Sequence, residues 1–166
     1  MECEVCGDPF EQNTGRGRKA RFCSTRCRMV AYRERKSMPS VMRTARRWVA
    51  ARGKRPVMVD GSPASSTNPA TWARFEDVQA LQHGYMLGGG VGCYDLDDVT
   101  DDEARMFRAT IPERIVYAER SRSGRGVHFF VLAEESPGWK RVVDGGISVE
   151  RYTRARFILM THRKFV

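Results

Sequence analysis

Gly92-Cys93-Tyr94-Asp95-Leu96-Asp97-Asp98 alternates acidic and apolar side chains with the period of two that marks a half-buried β-strand. At that period Asp95 and Asp97 share one face while Leu96 turns toward a core. Two carboxylates so placed repel each other unless a cation lies between them. Mg2+ and Mn2+ accept such oxygen ligands and leave positions for substrate phosphates. Taken alone the pair is a weak signal, because Asp-x-Asp is common in surface loops. Asp98 and the run Asp101-Asp102-Glu103 also read as a solvated patch, with Thr100 and Glu103 forming a capping box for a helix toward Ala109.

Working outward, Tyr85–Leu96 mixes glycines with apolar residues and is expected to end in a strand. Further strands are expected at Ile115–Glu119, Val127–Ala133, Ile147–Tyr152 and Ala155–Met160. Helices are expected earlier. Val41, Met42, Ala45, Trp48 and Val49 have helical spacing over Val41–Ala51, with Gly53 as terminator. Asn68 is a candidate cap for a helix with Pro69 in first position, running through Trp72, Phe75, Val78 and Leu81. Helices first and strands later imply an α+β domain on a mainly antiparallel sheet over residues 45–166.

Two other segments carry candidate chemistry. In Ser121-Arg122-Ser123-Gly124-Arg125-Gly126-Val127-His128, a Ser-Gly-x-Gly turn offers backbone N–H groups to phosphate oxygens. Arg125 adds a planar cationic fork, and His128 opens the following strand. In Ile147-Ser148-Val149-Glu150-Arg151-Tyr152, Glu150 sits among strand residues, where an acid is costly unless paired or metal-bound. An ion pair with Arg156 is the structural alternative.

The N-terminal part is different in kind. Beyond Phe10, Phe22, Met29, Val30 and Tyr32, residues 1–36 have few side chains from which to build a core. They do hold Cys3-x-x-Cys6 and Cys23-x-x-x-Cys27, spacing suited to two knuckles around one tetrahedral Zn2+. Four thiolates leave no open position, so the ion is expected to be structural and to replace the missing core. The fifth cysteine, Cys93, reads as a small core residue. Residues 37–44, which include Ser37-Met38-Pro39-Ser40, read as a linker.

The formal charge is +9, and residues 1–47 hold 12 of the 29 basic residues against 5 of the 20 acidic ones. A dense cationic surface beside a zinc motif suits a phosphate backbone, with a solvated basic face as the alternative. Arg16, Arg18, Lys19 and Arg21 supply much of that charge between the cysteine pairs. No apolar run approaches the ~18 residues a membrane helix needs, and no secretory signal opens the chain. A soluble cytoplasmic protein with reduced thiols is expected, in a host cytoplasm if the source is a phage.

The order Asp-x-Asp, Ser-Gly-x-Gly-x-His and an apolar strand bearing Glu is similar to the three motifs of the archaeo-eukaryotic primase superfamily. It looks closest to the primase-polymerases of phages and plasmids. Lys54-Arg55-Pro56-Val57 and Ser65–Trp72 resemble the segment that leads in, and Glu150-Arg151-Tyr152 with Arg156-Phe157 and Thr161 resembles the closing hairpin. Phe22-Cys23-Ser24 with Cys27-Arg28 resembles the second knuckle of treble-clef or ribbon-type zinc fingers.

The resemblance implies an RRM-like catalytic core behind a four-cysteine finger, acting in DNA priming or polymerisation for a phage or mobile element. It implies that Asp95, Asp97 and Glu150 bind two Mg2+ or Mn2+ ions. His128, Ser123 and Arg125, on the turn that includes Gly124 and Gly126, would contact the triphosphate. Lys54 and Arg156 would assist at phosphate or template. The partners implied are single-stranded or primed DNA, nucleoside triphosphates and a separate replicative helicase, with no membrane. Where relatives carry Gly after the Thr of the closing hairpin, His162 follows Thr161 here. The alternative is a non-catalytic zinc-finger DNA-binding or helicase-loading protein on a decayed primase fold.

Overall fold

A computed structural model describes residues 1–3, 5–12, 19–36 and 38–166. Arg16 and Arg18 of the basic loop and Ser37 of the expected linker therefore lie outside the described residues. The chain divides into two compact units, Met1–Met38 and Pro39–Val166.

In the first unit the Cys3–Asp8 segment closes on itself: Gly7 N–H donates to Cys3 O and Cys3 N–H to Asp8 O, both at 2.9 Å. Helix α1, Thr25–Lys36, follows the second cysteine pair's first member. Cys27 sits in its first turn, with its N–H donating to Ser24 Oγ at 3.2 Å.

The second unit is α+β with two antiparallel sheets, not one. Its elements are α2 (Ser40–Arg43), β1 (Trp48–Arg52), β2 (Arg55–Val57), α3 (Phe75–Val78), β3 (His83–Met86) and β4 (Val91–Asp97). They continue with α4 (Asp101–Arg108), β5 (Ile115–Arg120), β6 (Val127–Leu132), β7 (Trp139–Val143), β8 (Ile147–Tyr152) and β9 (Phe157–Leu159). The smaller sheet runs β2-β1-β3-β9 and the larger β5-β6-β4-β8-β7.

Two helical expectations give way to strand or turn. Over 41–51 only Ser40–Arg43 is helical, and Trp48–Arg52 is β1, hydrogen-bonded between β2 and β3. Trp48 and Val49 are bulky or β-branched side chains that suit a strand buried on both faces. The Trp48 indole N–H donates to Met42 O at 2.8 Å, folding the strand back over the short helix. Gly53 does end the element, but as part of the β1–β2 turn. Asn68 does cap, its Oδ1 accepting from Ala70 N–H at 3.1 Å, yet only a 3-10 turn at Pro69–Thr71 follows. Trp72 and Ala73 are drawn out of helix by Trp48, which exchanges both backbone hydrogen bonds with Ala73. The helix restarts at Phe75, where the Asp77 carboxylate accepts from Arg74 N–H at 3.1 Å.

The capping box at Thr100 and Glu103 forms, with Thr100 Oγ1 accepting from Glu103 N–H. Helix α4 packs Ala104 and Phe107 on one face of the larger sheet, against Tyr94, Leu96, Phe129, Val131 and Val149. Arg151 spans this side, donating to Glu113 Oε1 at 2.6 Å, Tyr94 Oη at 3.1 Å and Ser136 Oγ at 3.0 Å. Burial raises the Glu113 carboxyl, but the hydrogen bonds from Arg151 and Tyr94 outweigh it and hold the group below its ordinary range. A depressed carboxyl contributes stability that is complete above the unfolded value and is lost as pH falls through the folded one. Glu113→Gln is thus expected to cost about 1–2 kcal/mol at neutral pH. Its melting temperature should converge on the native one below the ordinary glutamate range, and parallel curves across all pH values would refute this.

Strand β9 crosses to the smaller sheet, where Gly84 lies opposite Leu159. A Cβ on Gly84 would overlap the Ile158 carbonyl and the Phe157 ring. Since the carbonyl is backbone, Gly84→Ala should cost about 1–3 kcal/mol, read as a lower denaturant midpoint with unchanged slope. Among the described residues no helix is long and apolar enough to cross a membrane.

Candidate functional site

Strand register sets the distant acidic residues on one face of the larger sheet. Asp95 on β4 lies directly opposite His128 on β6 and Glu150 on β8. His128 in turn lies opposite Glu119 on β5, and Glu150 opposite Lys140 on β7. Directly opposed residues share a face, so Glu119, His128, Asp95, Glu150 and Lys140 form one row across all five strands. The neighbouring row, Tyr117, Phe130, Cys93 and Tyr152, is mostly buried. Asp97, two residues along β4, faces the same way beside Ser148.

The middle of this row, Asp95 and His128, opens on a cleft of ≈ 570 Å³. Asp95, Asp97 and His128 line it, as do Lys54, Ser121, Arg122, Ser123 and Arg156 and the backbone course of β9. A larger concavity of ≈ 650 Å³ on the first unit is lined by Lys19, Arg21, Phe22 and Arg28 among others, with no carboxylate among the described residues. The carboxylates Asp95 and Asp97 and the His128 ring therefore line the second unit's cleft.

The carboxylates differ in their surroundings. Burial is the main force raising the Asp95 carboxyl; the charges of Asp97 and Glu150 add to it, and His128 opposes it. Glu150 is held below its ordinary range, first by the hydrogen bond from Lys140. Its oxygens accept from Lys140 Nζ at 2.8 Å, Tyr152 Oη at 2.9 Å and Arg156 at 3.4 Å. The Arg156 pairing foreseen as the structural alternative is therefore present. An excess cation would relieve Asp95, whereas Glu150 must exchange protein partners to ligate one.

The Ser121–Gly126 turn is internally closed. Gly124 N–H donates to Ser121 O at 3.0 Å, Arg125 N–H to Ser123 Oγ at 3.2 Å and Gly126 N–H to Ser121 Oγ at 3.0 Å. Those three N–H groups, expected to cradle phosphate, are already satisfied. Gly124 has φ 80°, a backbone angle for which glycine is the natural occupant. The Arg125 guanidinium sits 3.4 Å from Asp98 at the surface, and Arg122 is the arginine of this turn that lines the cleft. Sequence reading singled out Arg125 for its planar cationic fork beside the glycines. Only the turn's three-dimensional course distinguishes the two.

Glu119 is the residue sequence reading missed. It is wholly buried and accepts from His128 Nδ1 at 3.2 Å, Thr161 N–H at 3.1 Å and His162 N–H at 2.8 Å. Its signal was faint: an acid closing the apolar run Ile115–Glu119. His128 is itself buried, its Nε2 3.5 Å from Asp95 Oδ1. Burial works against its protonated form, but the hydrogen bond and charge of Glu119, then Asp95 and Asp97, prevail and raise its pKa.

In the first unit the Sγ atoms of Cys3, Cys6, Cys23 and Cys27 all lie within 4.8 Å of one another. Three of the separations are 3.6 Å (Cys6–Cys23), 3.6 Å (Cys23–Cys27) and 3.8 Å (Cys6–Cys27). A tetrahedron with Zn–S bonds of about 2.3 Å has edges of about 3.8 Å, so the four sulfurs fit a metal such as zinc. Backbone N–H groups of Cys23 and Cys6 lower the Cys3 thiol to about 6, while Cys6 and Cys23 in the same cluster are raised, so without an ion the thiolate settles first on Cys3. Among the described residues this is the group of three or more ligand atoms gathered closely enough to hold an ion. No protein-family model matches the chain, and no curated protein does.

Proposed function

We propose that the chain is a DNA primase-polymerase, transferring nucleotides to a 3′-hydroxyl under the direction of a DNA template. The observation that carries this reading is Asp95 standing between His128 and Glu150 in register, beside Asp97, in a cleft rimmed by Lys54, Arg122 and Arg156. The order of the motifs along the chain supports it, and so does the basic excess beside a four-cysteine module. The RRM-like core, the phage or mobile-element setting and a partner helicase belong to the same proposal.

Asp95 and Asp97, joined by Glu150 once it exchanges partners, are the groups that would hold Mg2+ or Mn2+. Such ions, when bound, activate the attacking hydroxyl and neutralise the leaving pyrophosphate. The remaining work is positioning and charge. Lys54, Arg122 and Arg156 attract and orient the triphosphate. His128 donates from Nε2–H to a phosphate oxygen, from a ring held in place. The apolar row of Phe130 and Cys93 behind it keeps water from the floor of the site.

A second reading, DNA binding without transfer, is favoured by one specific observation, the occupation of Glu150 by Lys140, Tyr152 and Arg156. Incorporation of labelled nucleotides on a primed single strand, with Mg2+ or Mn2+, separates the two. Template-dependent extension is expected. Salt-sensitive DNA binding with no incorporation under either metal, for ribo- and deoxyribonucleotides alike, would establish the second reading instead.

A further inference from the structure

A buried acid with no access to substrate needs a reason to be there, and Glu119 has one on each side. Carboxylates are rarely enclosed unless several donors satisfy them. Here the donors are the backbone N–H groups of Thr161 and His162, which together reach both oxygens. The segment that supplies them runs along β5 as an extra edge. Thr161 Oγ1 donates to Arg120 O at 2.6 Å, Arg120 N–H to Arg163 O at 2.7 Å and Phe165 N–H to Ala118 O at 3.0 Å. His162 takes φ 58° to aim its N–H at Glu119, a left-handed angle uncommon for a residue with a Cβ. The surrounding contacts hold it there: its Nε2 lies 2.7 Å from Nε2 of His83, whose Nδ1 meets Leu81 O at 2.8 Å.

With both Glu119 oxygens accepting backbone donors, the ring nitrogen facing it must donate as well. The geometry points to Glu119 as a positioning residue that keeps a proton on His128 Nδ1 and turns Nε2 toward Asp95 and the cleft. Segment Thr161–Arg163 is the brace that holds Glu119 in place. The same segment reaches the other phosphate-side element: the Arg163 guanidinium donates to Ser121 O and to Arg122 O, the latter at 2.8 Å. One short stretch of chain thus sets the ring of His128 through Glu119 and the course of the Ser121–Gly126 turn through Arg163. The consequence for nucleotide binding rests on the transfer activity proposed above: His128 meets the triphosphate without first reorienting.

Long-range proton–nitrogen correlation spectra of the 15N-labelled full-length chain test this, with His128 assigned by its loss in His128→Gln among the three histidines. The native ring is expected to show a protonated Nδ1. In Glu119→Gln the amide places a donor where the carboxylate accepted, so Nδ1 should lose its proton. Nucleotide KM should rise about 10- to 100-fold, the range for removing the outer-shell partner of a metal-ligating histidine, with template affinity unchanged. Glu119→Asp, which keeps the acceptor, should restore part of the native ring signature. A native spectrum with bare Nδ1 overturns the assignment by itself, whether or not the variants fold. So does a Glu119→Gln ring identical to the native one. Absence of nucleotide incorporation by the native protein would refute the transfer activity and leave the ring signature to decide the role of Glu119.

Discussion

Asp95→Asn is expected to abolish nucleotide incorporation while raising the melting temperature of the second unit. Both effects have one cause. Among the three acids proposed as ligands, Asp95 has a carboxyl raised by burial first and then by the Asp97 and Glu150 charges, against the pull of His128. A carboxyl raised in the folded state makes stability fall as pH climbs through its range, so at neutral pH the ionised group is a net cost. Asparagine removes the charge at nearly constant shape. The melting temperature should therefore rise by a few degrees at pH 7, and the gain should vanish at acid pH, where Asp95 is already neutral.

Activity should move the other way. Loss of an outer-shell partner of a metal ligand costs 10- to 100-fold, so loss of a ligand should reduce incorporation by more than about 10²-fold. Divalent cation links the two measurements. Mn2+ at about a hundred times its dissociation constant should stabilise the native protein by about 2.7 kcal/mol and Asp95→Asn far less. Incorporation surviving at native rates in Asp95→Asn, or equal stabilisation of both proteins by Mn2+, would remove Asp95 from the reaction.

Chelation is expected to unfold the first unit and leave the second intact. Among the described residues the first unit has few buried apolar side chains, and two of them, Cys3 and Cys27, are themselves members of the sulfur cluster. Apparent binding energies for structural zinc of about 10–16 kcal/mol are ample to stand in for a core of that size. The second unit has its own cores, on the α4 side of the larger sheet and around Val49, Trp72 and Met86.

Thiol reactivity gives a direct reading. With zinc bound, no cysteine should react quickly with a disulfide reagent. After removal of the ion by a strong chelator, the four cysteines of the cluster should react together, and α1 should lose its helical circular dichroism. Cys93, fully enclosed in β4, should stay protected until the second unit unfolds. Cys6→Ser should behave as the chelated protein does. A Cys6→Ser variant that retains one zinc per chain by native mass spectrometry, with α1 intact, would show that the cluster is not a four-thiolate centre.

The parts of this protein legible from residue order are those in which the deciding interactions are local. Cysteine spacing requires only that two short turns meet, and the capping box at Thr100 and Glu103 closes within one helical turn. The face shared by Asp95 and Asp97 follows from the strand period alone. Elements whose form depends on a distant partner read wrongly or not at all. Trp48–Arg52 has helical spacing but is a strand because β2 and β3 enclose it. Trp72 and Ala73 leave helix because Trp48 offers hydrogen bonds. Strand β9 follows β8 in the chain, yet pairs with β3 in the other sheet.

The site divides in the same way. Asp95, Asp97, His128 and Glu150 stand out as residue types in pattern, but their common row is a matter of register between strands, which no local preference specifies. Glu119 and Arg122 were hidden for that reason. The first becomes meaningful only when residues 161–162 arrive from far along the chain, and the second only when the turn's hydrogen bonds direct Arg125 away. Chain order carries the chemistry that neighbouring residues enforce on one another. Packing across the sheet assigns each charged side chain its partner, because burial makes every unpaired charge too costly to leave where spacing alone would put it.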